Sequence, residues 1–174
     1  RVDRRQRQMC IRDRQYFKPY PVCRWAQAPI AAVLDLKQTY DFSSTDVASV
    51  HITSFYEAVR LGQKKVTNTE EAQYSTSFPC AIALVHGDIL PEHIADDALK
   101  DPEIQRLSSV LTISEDDHAN LVFPGSRLAR ADITLKNGQV LSSTWFEPKW
   151  HASVPPTKKE LTKKFRDYAI PVLG

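Results

Sequence analysis

The chain is poor in the features that mark a specialised class. Its 174 residues include five glycines, scattered singly, so no glycine loop is present to cradle a phosphate. There are three cysteines, Cys10, Cys23 and Cys80, too few for a disulfide framework and without metal-ligand spacing. The sequences GxSxG, HExxH and CxxC do not occur. No apolar run approaches the roughly 20 residues that a membrane-spanning helix needs. The first fourteen residues are polar and basic, unlike a secretory signal. These absences point to a reducing, cytoplasmic setting without disulfides or a membrane span. Neither charge sign dominates, with 23 Lys+Arg against 21 Asp+Glu and a net charge of +2. What remains is an ordinary globular composition, 42% hydrophobic and 25% charged, and a length that suits one domain.

The small net charge hides an asymmetry. Residues 1–14 hold six Arg and two Asp, a local +4, so the other 160 residues carry −2. An Arg-rich terminus can be a nucleic-acid arm bound through phosphates. A second possibility is a disordered, solvated end. A third is more specific. Arg4 to Asp13, RRQRQMCIRD, resembles the translation of the end of a common transposase-type DNA sequencing adapter. Residues 1 to about 14 are therefore expected to be an adapter translation and disordered. Genuine coding sequence is expected to start near Gln15, inside a longer gene.

From Gln15 onward the pattern reads as one α+β domain, residues 15–174, with a mostly antiparallel sheet covered by helices on one face. Gln15 to Arg24 is extended, aromatic and proline-stiffened. A helix is expected from about Ala28 to Gln38, with Pro29 in its first turn. Val47 to Phe55 reads as a strand. Thr67 with Glu70, or Asn68 with Glu71, can cap a helix running from Glu70 to His86, kinked or broken at Pro79 and ended by Gly87. Short helices follow at Pro91–Leu99 and Pro102–Ser108, then a strand at Val110–Ser114 and an acidic loop from Glu115 to Ser126. Arg127–Lys136 and Gln139–Glu147 form a hairpin around Asn137-Gly138. A two-residue turn there sets Leu135 opposite Val140 and Ile133 opposite Ser142. Thr157 and Glu160 make a capping box for a terminal helix that Pro171 is expected to stop.

Few residues suggest chemistry. The five histidines, at 51, 86, 93, 118 and 151, are far apart in sequence. His86 and His93 are separated by Gly87 and Pro91, and no metal site is expected there. Asp116-Asp117-His118 reads as a solvated loop. Lys18 lies in the stiff run FKPYP, with Cys23 and Arg24 close behind. Such a segment can aim an ammonium and a guanidinium at one point, as carboxylate recognition requires. The competing reading makes Tyr16, Phe17, Tyr20 and Trp25 core residues, with Lys18 reaching outward. Tyr74, Ser75 and Phe78 share one face of the expected helix, which by itself suggests packing.

Four blocks together carry a resemblance: KPYPVCRWAQAPIAAVLDL (Lys18–Leu36), TEEAQYSTSFPCAIALVHGD (Thr69–Asp88), RADITLKNGQVLSSTWFEPKW (Arg130–Trp150) and ELTKKFRDYAIPVLG at the end. In order and spacing, residues 16–174 resemble the C-terminal part of the MmgE/PrpD family. This family includes 2-methylcitrate dehydratase, cis-aconitate decarboxylase and iminodisuccinate epimerase. The resemblance implies an α+β lid over an active site shared with an N-terminal helical domain of the same parent chain. It implies proton abstraction next to a carboxylate of a small di- or tricarboxylate, no metal or organic cofactor, and often a homodimer. Lys18 matches the lysine that faces the substrate carboxylates, and is the expected catalytic residue. Arg24, Cys23, Gln27, Tyr74, Ser75 and Phe78 are the expected substrate-binding set. Cys23 falls where decarboxylase-like members have a catalytic His, Gln27 where many relatives have His, and Phe78 where decarboxylase-like members have Tyr. These departures argue against decarboxylation and leave dehydration or epimerisation. The isolated chain is expected to be inactive, because the general base belongs to the helical domain. The alternative from a different class is a stand-alone module using its basic arm on nucleic acid. The −2 charge of residues 15–174 weighs against that alternative.

Overall fold

Most of the expected helices and strands form in the computed structural model, which describes residues 16–62 and 65–173. The expectations for residues 1–14 lie outside the described residues. The described residues divide into two compact units, one within Tyr20–Pro148 and a smaller one made of the two flanks, residues 16–19 and 149–173.

In the larger unit, helix α1 (Gln27–Thr39) follows a single 3-10 turn at Arg24–Ala26. Pro29 sits at its third position, where a missing N–H breaks no helical bond. Strand β1 (Val47–Ser54) leads into the short helix α2 (Tyr56–Arg60). Helices α3 (Thr69–Tyr74) and α4 (Ser77–His86) follow. Of the two possible caps for α3, the structure uses Asn68, whose Oδ1 accepts from the Glu71 N–H at 2.9 Å. The helix expected over Glu70–His86 is broken, but at Ser75–Thr76 and not at Pro79. Pro79 lies in the first turn of α4, where it is tolerated. Ser75 is extended, and its neighbour's N–H is taken by the Leu61 carbonyl at 2.8 Å. Gly87, at φ 72°, closes α4 in the left-handed conformation that glycine adopts without strain.

Residues 91–100 hold two 3-10 turns, Pro91–Ile94 and Ala98–Lys100, where a short helix was expected. Helix α5 (Pro102–Val110) is capped by the Asp101 carboxylate, which accepts from Glu103 and Ile104 N–H. Strand β2 (Leu111–Glu115) comes next. The expected acidic loop contains helix α6 (Asp117–Val122), because the Asp116 carboxylate accepts from the Ala119 N–H at 3.0 Å. Strands β3 (Ala129–Leu135) and β4 (Val140–Ser142) complete the sheet.

The strand order is β2-β1-β3-β4. The fold is α+β as expected, with β1–β3 and β3–β4 antiparallel, but β1–β2 is parallel, so the sheet is mixed. The reason is topological: β1 reaches β2 through a long helical crossover, which returns the chain in the same direction. The hairpin also differs by one residue. Thr134 faces Val140 and Ile133 faces Leu141. The loop has three residues, Lys136 to Gly138, with Gly138 at φ 89° and its N–H donating to the Leu135 carbonyl at 2.9 Å. This is the bulged three-residue loop, not the two-residue turn.

One face of the sheet is apolar. Val50, Ile52, Ala131, Ile133, Leu111 and Leu141 join Ile30, Val33, Ile82 and Leu107 of α1, α4 and α5 in a single core. The other face is polar, and on it the His51 ring bonds Thr112 Oγ1 at 2.8 Å and Ser114 Oγ at 2.9 Å. A second small core forms where Trp25, Phe55 and Phe123 meet, Phe55 and Phe123 stacked at 4.6 Å.

In the smaller unit, helix α7 (Lys158–Leu173) runs through Pro171 and does not stop before it. Near the end of a helix the proline disturbs only the final turn. The expected capping box is present, with Thr157 N–H and Oγ1 both donating to Glu160 Oε2 at 2.7 Å and Glu160 N–H donating to Thr157 Oγ1 at 3.3 Å. Lys164 Nζ at 2.8 Å and the Tyr168 hydroxyl at 3.1 Å donate to the Pro19 carbonyl, which ties the Lys18–Pro19 segment to α7.

Candidate functional site

The residues expected at the site fall in both units. Lys18 is exposed in the smaller one; the other six lie in the larger one. Within the larger unit a main-chain bond draws two of the motif blocks together: the Cys23 N–H donates to the Gln73 carbonyl at 2.7 Å. It sets the 3-10 turn at Arg24–Ala26 beside the end of α3, next to Tyr74 and Ser75.

Each side chain then has a distinct environment. Cys23 is half-buried and its thiol is unoxidised. Arg24 is 9% exposed, an inward guanidinium in the first turn before α1. Gln27 is 1% exposed, and its amide is spent on the preceding loop. Its Oε1 accepts from the Tyr20 N–H at 3.3 Å, and its Nε2 donates to the Tyr20 and Val22 carbonyls, both at 3.2 Å. Gln27 therefore shapes the proline loop. The Tyr20 ring packs against the main core, and burial, with Asp88 adding, pushes its hydroxyl up to about 12. Tyr20 stays neutral at any ordinary pH and acts as a packing group.

Tyr74, Ser75 and Phe78 do not share a helix face, because the chain breaks between them. Tyr74 ends α3 with 56% of its surface exposed. Ser75 is buried and its Oγ accepts from the Phe78 N–H at 3.1 Å, in effect capping α4. Phe78 is 0% exposed and belongs to the main core. Tyr16 and Phe17, offered above as possible core residues, are exposed, whereas Tyr20 and Trp25 pack inward. Cys80, beside Phe78 in α4, is fully buried, and burial pushes its thiol up, so it is chemically inert.

The chemically available set is thus an exposed lysine, a half-buried thiol, an inward arginine and an exposed phenol. No group of three or more His, Cys, Asp or Glu among the described residues is arranged to hold a metal ion. A cavity of about 200 Å³ opens between α2, β2 and the start of α4, lined by Val59, Gly62, Ser77, Leu111, Thr112 and Ile113. It contains none of the seven expected residues.

Sequence reasoning missed two supports of this region. Asp96 Oδ1 accepts from Thr69 N–H at 3.2 Å and from Thr69 Oγ1 at 2.6 Å, holding the start of α3. Thr76 is fully buried and donates to the Ala58 carbonyl at 3.1 Å, fixing the α3–α4 break. An acidic residue 27 positions from its partner carries no local signal. The Ser75-Thr76-Ser77 run, rich in residues that compete with helix, does carry one.

Residues 20–174 match the MmgE/PrpD C-terminal domain, and the chain therefore belongs to that family. Family members are generally lyases or dehydratases. No curated protein matches the chain. No helix among the described residues is long and apolar enough to cross a membrane.

Proposed function

We propose that this MmgE/PrpD C-terminal domain is the lid of a cytoplasmic lyase or isomerase that acts on a small di- or tricarboxylate. The active enzyme pairs it with the family's helical domain, which supplies the general base, in a homodimer. The reaction starts with removal of the proton next to a carboxylate, which leaves an enediolate carrying extra negative charge. Lys18 supplies a fixed ammonium for that charge, and Arg24 adds positive potential behind the Cys23 turn. A preorganised cation in a cleft closed to water acts more strongly than one in bulk solvent. Tyr74 offers the hydroxyl for protonating or orienting the leaving oxygen.

Dehydration or epimerisation is favoured over decarboxylation. Cys23 replaces the histidine of decarboxylase-like members, and Phe78 lacks a hydroxyl and lies in the core. The observation that carries the proposal is the family match over residues 20–174, supported by the bond that seats the Cys23 turn against α3.

The test joins this domain to a helical domain of the family and assays 2-methylcitrate dehydration, iminodisuccinate epimerisation and cis-aconitate decarboxylation. Turnover of one of the first two is expected, with kcat falling about 100-fold or more in Lys18→Ala. Preferred decarboxylation, or full activity without Lys18, refutes the assignment. Activity of the domain alone refutes its role as a lid.

A further inference from the structure

Gly87 and Pro91 interrupt the helix between His86 and His93, yet their rings stack at 4.0 Å between centroids and 10° between planes. His86 is the last residue of α4, and His93 lies in the 3-10 turn Pro91–Ile94. The Leu90 N–H donates to His93 Nδ1 at 3.2 Å. That nitrogen must carry a lone pair, so neutral His93 holds its proton on Nε2. Protonation of His93 sets a second N–H against the Leu90 N–H and removes the bond. Protonation of both rings places two cations face to face.

The segment that this stack closes has a task. Residues 90–101 are anchored by buried Ile94 and Leu99. Between those anchors Asp96 holds the Thr69 end of α3, and at its other end α3 offers the Gln73 carbonyl to Cys23. A continuous path therefore runs from the histidines to the turn that carries Cys23 and Arg24.

We propose that the His86–His93 stack is a proton-sensitive latch: protonation opens it, loosens residues 90–101, and weakens the hold of Asp96 on α3. The charged groups around it act in opposite directions. Asp101, which caps α5, favours a protonated His86, while burial and His93 hold His86 below the ordinary histidine range. Lys37 of α1 runs alongside Gly87, and Asp88 and Glu92 flank the pair in sequence. A depressed histidine pKa contributes stability above its unfolded value, and loses it as pH falls through the folded one. The latch is therefore closed near neutrality and opens on acidification.

The inference concerns the fold of the chain and does not require the proposed reaction. The test is amide hydrogen exchange on the full chain at pH 7.5 and 5.0, corrected for intrinsic rates, with NMR titration of both imidazoles. Protection of the Ala72 and Ser75 amides is expected to fall about threefold to tenfold at pH 5.0, while that of Ile52 in β1 holds. His93→Gln, which cannot titrate, should remove this pH response. His86→Gln, at an exposed ring, should reduce it, and it carries the test if His93→Gln does not fold. A wild-type α3 indifferent to pH, or a response that is undiminished in His86→Gln, overturns the proposal.

Discussion

Replacing Gln27 by leucine isolates what one buried amide does. The side chains have similar volume, so packing is nearly conserved. Three hydrogen bonds disappear, one from the Tyr20 N–H and two to the Tyr20 and Val22 carbonyls, together with a long fourth at 3.5 Å to the Cys23 carbonyl. At about 1 kcal/mol net for each of the three, the loss is about 3 kcal/mol. For a chain of this size that lowers the melting temperature by about 6–12 °C. In urea, with a slope near 2 kcal/mol/M, the midpoint falls by about 1.5 M and the slope stays constant. Amides of residues 20–23 should exchange faster, because the loop loses its brace. Gln27→Glu gives a control of opposite pH sense. Its carboxylate keeps an acceptor for the Tyr20 N–H but meets two carbonyl oxygens, which raises the folded pKa. That variant should therefore be unstable at neutral pH and recover as pH falls, when the protonated acid can donate. A midpoint shift below about 0.3 M for Gln27→Leu would refute the brace, and would return Gln27 to the set of residues available to a ligand.

Three further outcomes follow from the geometry. Phe78→Tyr places a hydroxyl in the core and should cost about 1–3 kcal/mol in urea unfolding, without conferring decarboxylase activity on the joined enzyme. Arg106→Lys removes a fork that donates to Glu103 at 2.8 Å and to the Val47 and Ser44 carbonyls at 3.0 Å; thermal melts should show a loss of about 1–2 kcal/mol. The same guanidinium holds the Glu103 carboxyl below its ordinary value. Stability from that pair is therefore present above the unfolded Glu range and lost as pH falls through the folded value; Glu103→Gln should flatten this part of the pH–stability curve.

How much of the molecule is legible in the sequence depends on the range of the forces involved. Caps such as Asn68 and Thr157 with Glu160 act over three residues and can be read directly. The α4 core helix shows itself by being apolar all round. The hairpin is legible as a hairpin, but its register is not, because Asn-Gly supports both a two-residue turn and a bulged three-residue loop. Asp116 hides a helix within acidic residues that look solvated. The parallel β1–β2 pair and the histidine stack depend on tertiary return of the chain, which leaves no local trace. At the site, motif blocks were visible as a family pattern, yet burial separates them: Gln27 and Phe78 face inward, while Lys18 and Tyr74 face solvent.

The bond between Cys23 N–H and the Gln73 carbonyl is made by main-chain atoms alone. Every residue except proline supplies that donor, and every residue supplies that acceptor. The side chain at position 23 can therefore change, to any residue but proline, without undoing the joint that positions it. The scaffold thus separates the placing of position 23 from the choice of the side chain that stands there.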